Sequence, residues 1–195
     1  MKNIHLLTVI YLLFISACST SPAAHFYMLT SMPADTASST NTLADKYIIV
    51  GPVNFPKYLD RPHIVTRSET SETYLSDLHR WAEPLQENFT RVLAENLSAL
   101  LGTEKIGIAP SRNRTLADYR VTLEVHRFDA GRHGEVMLVA YWNIFAGDES
   151  TPLSTRKSEL KLPTSRNPGY TEMANTLSSA VAHLSREIAD TMSGY

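Results

Sequence analysis

Apolar residues recur at helical spacing in two long segments of the chain. The first segment, about residues 81–101, has apolar side chains three and four positions apart, which places them in one stripe on a helix. This stripe consists of Leu85, Phe89, Val92, Leu93, Leu97, Leu100 and Leu101. The second segment, about residues 170–192, repeats the spacing with Met173, Leu177, Val181, Leu184, Ile188 and Met192. Both segments are predicted to be amphipathic helices, and Gly102 is predicted to be the C-cap of the first.

Short runs rich in β-branched and apolar residues predict strands before and between these helices. Residues 47–53 form a continuous apolar run that suits a buried strand, whose end or edge Pro52 is expected to mark. Further strands are predicted over residues 63–67, 72–75, 104–109 and 155–162. Residues 119–126 alternate between apolar and polar, as in a half-buried strand, and residues 129–134 are expected to form a hairpin turn.

The return strand of this hairpin, residues 135–145, is apolar on both of its faces. It is therefore either central and covered twice, as continuous apolar strands usually are, or its second face serves a ligand or partner. The order of elements is strands, a long helix, a meander of strands and a second long helix. This order predicts an α/β (α+β) sandwich, in which two long amphipathic helices pack on a mixed, largely antiparallel sheet.

The amino end has the pattern of a targeting segment. Lys2 provides a basic start, and residues 4–15 form an apolar run that is too short to span a bilayer as a helix. Small residues then precede Cys18, the single cysteine of the chain, so an intramolecular disulfide is excluded.

The tetrad Ile15-Ser16-Ala17-Cys18 resembles a bacterial lipobox, in which leucine is more common than isoleucine at the first position. The resemblance implies cleavage before Cys18 and acyl chains, palmitate among them, on that residue. Such chains anchor a protein without spanning the membrane, because each buried methylene contributes roughly 0.8 kcal/mol. The alternative is an ordinary secretory signal with an incidental cysteine. Ser19 stands where lipoproteins kept at the inner membrane typically have Asp, which implies the outer membrane, on its periplasmic face.

These patterns divide the chain into three parts. Residues 1–17 are predicted to be a lipoprotein signal peptide. Residues 18–46, rich in Ser, Thr, Ala and Pro, are predicted to be the lipidated cysteine and a flexible tether. The tether contains a short docking strand over residues 25–29. Residues 47–195 are predicted to be a single domain, which suits their length.

A stiff loop over residues 57–61 is predicted between Pro56 and Pro62, because each proline fixes its own φ and restricts the preceding residue. An apolar pair on a stiff loop indicates a contact site. The candidate partner-binding residues are therefore Tyr58, Leu59, Asp60 and Arg61. The alternative is that Tyr58 and Leu59 fold back onto the core of the domain. This alternative is favoured, because single apolar residues near the surface are common and need no functional explanation.

The sequence carries no recognisable catalytic constellation. It lacks glycine-rich phosphate loops and a G-x-S-x-G elbow, and its seven histidines do not have metal-ligand spacing. The formal net charge of −2 provides no basic surface for a nucleic acid. We therefore expect a non-enzyme without a metal or cofactor, apart from the acyl chains on Cys18, and without a nucleic-acid partner.

Two ordered segments carry a resemblance to a known family. They are GPVNFPKYLDRPHIVTR over residues 51–67 and RWAEPLQENFTRVLAENLSALLG over residues 80–102. They resemble the ABC-type transport auxiliary lipoprotein family, in particular its PqiC-like (YmbA-like) branch. The island over residues 26–29 resembles the first strand of that family. Together these stretches cover about the first half of the chain, and the second half agrees in layout more than in motif.

The resemblance implies an outer-membrane lipoprotein that works with an MCE-domain protein bridging the periplasm and, through it, with an inner-membrane partner. Its role would be to dock a lipid transport tube at the outer membrane. The resemblance implies no catalytic residue and one modified residue, Cys18. Direct carriage of phospholipid and a non-transport role in envelope integrity are the alternatives. Because an MCE tube is a ring, a matching homo-oligomer is a further expectation.

Overall fold

The computed structural model describes residues 22–33, 43–68, 70, 72–111, 114–131 and 134–195. Within these residues, a mixed sheet of eight strands has two long helices packed on it, which confirms the predicted α+β architecture. The predicted signal peptide and Cys18 lie outside the described residues, so cleavage and lipidation stay predictions.

The elements follow one another in the predicted order. The strands are β1 (His25–Tyr27), β2 (Ile48–Asn54), β3 (His63–Arg67), β4 (Thr73–Trp81), β5 (Ile106–Ile108), β6 (Tyr119–Gly131), β7 (Glu135–Ala146) and β8 (Ser154–Pro163). The helices are α1 (Leu85–Leu101) and α2 (Tyr170–Met192), with short 3₁₀ turns at Lys57–Leu59 and Arg114–Leu116.

The sheet is organised around β6. One edge of β6 pairs with β7, which pairs with β8, and these two long ladders are antiparallel. The other edge pairs in parallel with β2 along the first half of β6 and with β3 at its end. From β3 the sheet continues through β4 to β1, an edge strand. The loop between β2 and β3 therefore passes alongside the middle of β6.

Three boundaries differ from the sequence-based expectation. Strand β4 extends to Trp81, and α1 begins only at Leu85, because Pro84 occupies the N-cap with an extended backbone. Pro52 lies inside β2, at a shift of register with β6 where no ladder hydrogen bond is required of it. Asp129 and the two residues after it remain paired with β7, so the hairpin turn is shorter than predicted.

Both helical stripes lie in the core, as predicted. Every apolar residue of the α2 stripe is buried, and in the α1 stripe only Leu100 is partly exposed. One face of β7 joins this core through Val136, Leu138, Ala140, Trp142 and Ile144. The second face of β7 is only partly covered, and Tyr141 on it is exposed. Strand β7 is thus interior to the sheet, but its two faces differ in burial.

Residues after β1 are held between the two helices by buried polar side chains. Asn88 of α1 accepts a hydrogen bond from the backbone N–H of Leu29 at 2.6 Å. Asn96 accepts one from Met32 at 2.8 Å and donates to the Ser185 hydroxyl of α2 at 3.1 Å. The docked part of the amino-terminal segment therefore extends beyond the predicted docking strand.

Candidate functional site

The candidate loop is a 3₁₀ turn that is closed by two backbone hydrogen bonds of its own. The backbone N–H of Leu59 donates to the Pro56 carbonyl at 2.9 Å, and that of Asp60 donates to the Lys57 carbonyl at 3.2 Å. The Leu59 side chain is only 3% exposed and belongs to the main core. In this structure Leu59 therefore takes the second of the two placements that the sequence allowed, with its side chain turned into the protein's own core.

Tyr58 is partly buried and bonded to the sheet. Its hydroxyl donates to Oδ2 of Asp129 at 3.0 Å, and the Asp129 carboxylate is fully buried. Arg127 donates through Nε to the other oxygen of Asp129 at 3.0 Å, and Arg67 forms an ion pair with the same carboxylate. Burial, followed by the charge of Asp129 and the hydrogen bond to it, raises the pKa of Tyr58 to about 12. The turn is therefore rigid at Tyr58 as well as at Leu59.

A pocket of about 500 Å³ opens where this turn meets the junction between β4 and α1. Its apolar lining includes the core residues Leu59, Trp81 and Leu85. Its polar lining comprises Asp60, Arg61, Glu83, Gln86 and Glu87. Both walls come from the two segments that carry the family resemblance, which are distant in sequence and adjacent in the fold.

The two walls are joined by main-chain and side-chain hydrogen bonds. The backbone N–H of Trp81 donates to the Pro62 carbonyl at 2.7 Å, which ties the end of β4 to the turn. The Gln86 amide donates to the carbonyl of Val53 at 2.8 Å, which ties the first turn of α1 to β2. The pocket is thus preformed rather than assembled from mobile parts.

Arg61 is the cationic residue of the pocket, and its Nε has no hydrogen-bond partner among the described residues although that atom is buried. Glu83, which also lines the pocket, already has a partner, because its carboxylate forms an ion pair with Arg91. Arg91 also donates a hydrogen bond to Glu95 at 3.1 Å. The hydrogen bond with Glu83 raises the pKa of Arg91. Asp60 is exposed at the rim. The pocket can therefore accept an apolar group on its floor and a hydrogen-bond acceptor at Arg61.

The structure divides the four predicted site residues into two pairs. Leu59 and Tyr58 hold the turn, whereas Asp60 and Arg61 stand beside the pocket. Sequence reasoning missed Asp129, because an Asp-Ala-Gly run has the composition of a turn. The available signal was that the alternation of apolar and polar residues resumes at Phe128 and Ala130, after an irregularity between Val125 and Arg127, and so extends β6 past the predicted turn.

The described residues hold no cluster of three or more His, Cys, Asp or Glu that could bind a metal ion. Nor is any helix in the described ranges long and apolar enough to cross a membrane.

Comparison with known proteins places the chain in a family. The profile of the ABC-type transport auxiliary lipoprotein component matches residues 27–189. Because this match spans well over half of the 195 residues, the chain belongs to this family, as the resemblance in its first half predicted. No match was found among curated proteins.

Solved structures share the fold. Protein XCC0632 from Xanthomonas campestris is similar with a TM-score of 0.73 at 15% identity, over 88% of this chain and 97% of that one. An uncharacterized protein of known crystal structure has a TM-score of 0.70 at 21% identity, over 88% of this chain and 99% of that one. At these identities the similarity shows the fold alone.

Proposed function

We propose that this protein is a periplasmic lipoprotein anchored to the outer membrane by Cys18, and an accessory component of an MCE-type lipid transport system. In this role it docks the transport tube at the outer membrane. Family membership supplies the transport-auxiliary part of this statement. The MCE-domain partner, the choice of membrane and the docking role are the proposal.

The observation that supports docking most is that both family segments converge on one surface pocket instead of on the core alone. Residues 59–62 form one wall and residues 81–87 form the other. Surface loops held on a rigid scaffold are where binding residues concentrate. The segments that make the chain recognisable as a member of its family therefore also build this concave surface.

The chemistry of the pocket suits a protein segment. Interface hot spots are apolar or aromatic anchors seated in preformed pockets and surrounded by a polar rim. Here Trp81 and Leu85 form the floor, and both are held in the core. A preformed floor lowers the entropy lost on binding. Arg61 is the cationic residue of the lining, and an acceptor on the partner that bonds to its guanidinium would contribute about 1.5–3 kcal/mol.

Co-purification from membranes tests this proposal. The full-length, tagged lipoprotein is isolated as wild type, as Arg61→Glu and as Arg156→Glu, and recovered MCE-domain protein is identified and quantified by mass spectrometry. Arg156 is the matched control, because it is exposed on β8 and lies outside the pocket. We expect Arg61→Glu to lower MCE recovery by about tenfold or more, as the loss of one charged hydrogen bond predicts. Arg156→Glu is expected to behave as wild type. Equal recovery from all three would contradict docking at this pocket.

The second face of β7 favours a second candidate function, direct carriage of phospholipid. Met137, Val139 and Phe145 lie on that face and are partly exposed, and Tyr141 beside them is exposed. Native mass spectrometry of the purified protein separates the two functions. Phospholipid that persists through purification, and is lost in Tyr141→Asp, would support carriage. A protein free of lipid would support docking.

A further inference from the structure

Strand β1 and the two residues that follow it show two different sides. Tyr27 is partly buried against the core and Leu29 is buried within it, whereas the alternate residues Phe26 and Met28 are 63% and 46% exposed. Alternation of this kind is normal for a strand, but the outward residues of an edge strand are usually polar or charged. Two large apolar side chains that face outward at an edge therefore call for a covering surface.

The neighbouring strand extends this apolar surface. Phe26 is the partner of Arg80 in the parallel ladder between β1 and β4. On β4, Leu78 is also exposed, and it lies next to residues 79–81, which pair with β1. Phe26, Met28 and Leu78 are called the β1 apolar edge below. Isolated exposed apolar residues need no explanation, but three that lie on or directly beside two paired strand segments mark an interaction surface.

The length of the chain before β1 indicates what lies against this edge. Six residues lie between Cys18 and His25, the first residue of β1, so seven Cα–Cα steps join the two. Fully extended, seven steps span at most about 25 Å. A domain of about 170 residues has a radius of gyration near 15 Å, which corresponds to a diameter of about 40 Å. The connection is thus shorter than the domain is wide, and a protein anchored at Cys18 keeps β1 on its membrane side.

We infer that the β1 apolar edge rests on the phospholipid surface of the membrane that holds the acyl chains, with Phe26 and Met28 entering the interfacial layer. The inference rests on the anchor at Cys18 that the proposed function includes. Aromatic side chains are favoured at the membrane–water interface. The contact fixes the orientation of the domain on the bilayer, so that the anchored protein presents its docking pocket in one direction.

Site-specific labelling of the full-length, lipidated protein tests the contact. Cys18 is the only cysteine and its sulfur is acylated, so Met28→Cys introduces a single free thiol for an environment-sensitive fluorophore. The control is Leu153→Cys, because Leu153 is 40% exposed and lies next to the first residue of β8, at the end of the sheet where β6 begins. Both proteins are reconstituted into phosphatidylethanolamine–phosphatidylglycerol vesicles with and without spin-labelled lipid, and flotation measures anchoring.

We expect both proteins to float with the vesicles. The label at position 28 is expected to shift to shorter emission wavelengths and to be quenched by the spin-labelled lipid, and the label at position 153 to stay in water. Adding Phe26→Asp to Met28→Cys is expected to return that label to water while flotation persists. Flotation with position 28 in water, or shielded only when a partner protein is added, would overturn the inference and leave the anchor intact. Failure to float would overturn the anchor and the inference with it.

Discussion

Leu59→Ala is the most informative substitution in the candidate loop, because it separates a core role from a partner-binding role. The Leu59 side chain is 3% exposed and packs in the main core. Truncation of a buried leucine costs about 2–5 kcal/mol in unfolding free energy. For a domain of this size, each kcal/mol lowers Tm by about 2–4 °C. A cost of about 3 kcal/mol therefore predicts a Tm that is about 6–12 °C lower.

Thermal and urea unfolding, followed by tryptophan fluorescence and circular dichroism, measure this effect. The matched control is Asp60→Ala, one residue further along the same turn, where the side chain is exposed at the rim of the pocket. Substitutions at such positions usually change stability by less than about 0.5 kcal/mol. If Leu59→Ala were as stable as Asp60→Ala and yet lost binding to the proposed MCE-domain partner, the core placement of Leu59 would be refuted.

Three further predictions follow from particular contacts. In the folded protein the pKa of the Tyr58 hydroxyl is raised to about 12 from an ordinary value near 10. The hydroxyl therefore stabilises the fold fully below pH 10 and progressively less as the pH rises towards 12. Tyr58→Phe should accordingly lose less unfolding free energy than wild type between pH 10 and 12. Asn96→Ala should cost about 1–3 kcal/mol and speed hydrogen exchange at the Met32 amide, which loses its acceptor. Gly102→Ala should cost about 1 kcal/mol, because φ at this C-cap is +66°.

Each of these predictions has an outcome that would refute it. If the unfolding free energies of wild type and Tyr58→Phe fell in parallel between pH 10 and 12, the hydrogen bond of the hydroxyl to buried Asp129 would be refuted. Unchanged exchange at Met32 would mean that Asn96 does not retain the segment after β1. For the C-cap, Gly194→Ala is the control, because the φ of Gly194 lies outside the left-handed region and a Cβ there would meet only the Thr191 carbonyl oxygen, at 3.5 Å. An equal cost at both glycines would contradict the role of the positive φ at Gly102.

The sequence predicted best what depends on local periodicity. The stripes of α1 and α2 are buried nearly residue for residue, because a helical repeat fixes which side chains share a face. The C-cap at Gly102 followed from residue chemistry alone. The alternation along β6 likewise predicted the strand and its buried face.

What the sequence did not predict depends on contacts between distant residues. Most of β4 is partly or fully exposed and has no clear alternation, and it is a strand because β1 and β3 pair with it. Asp129 is buried because Tyr58, Arg67 and Arg127 satisfy its carboxylate, and the first of these lies 71 positions away. The sequence also left two placements open for Leu59, and packing of the turn against the core decides between them.

The pocket itself is a product of the same long-range packing. Its two walls were recognisable as ordered segments of the sequence, but their meeting follows from the pairing of β3 with β4. Of the four predicted contact residues, Asp60 and Arg61 are the pair that this packing leaves at the pocket.

A photo-crosslinking amino acid at position 60 tests the docking claim most directly. Asp60 is exposed at the pocket rim, so its replacement in the full-length, lipidated protein leaves the core unchanged. The same crosslinker at position 157, an exposed residue of β8, is the control. Illumination of intact cells is expected to join position 60, and not position 157, to an MCE-domain protein. Absence of that product from position 60, or its equal formation from both positions, would contradict docking at this pocket.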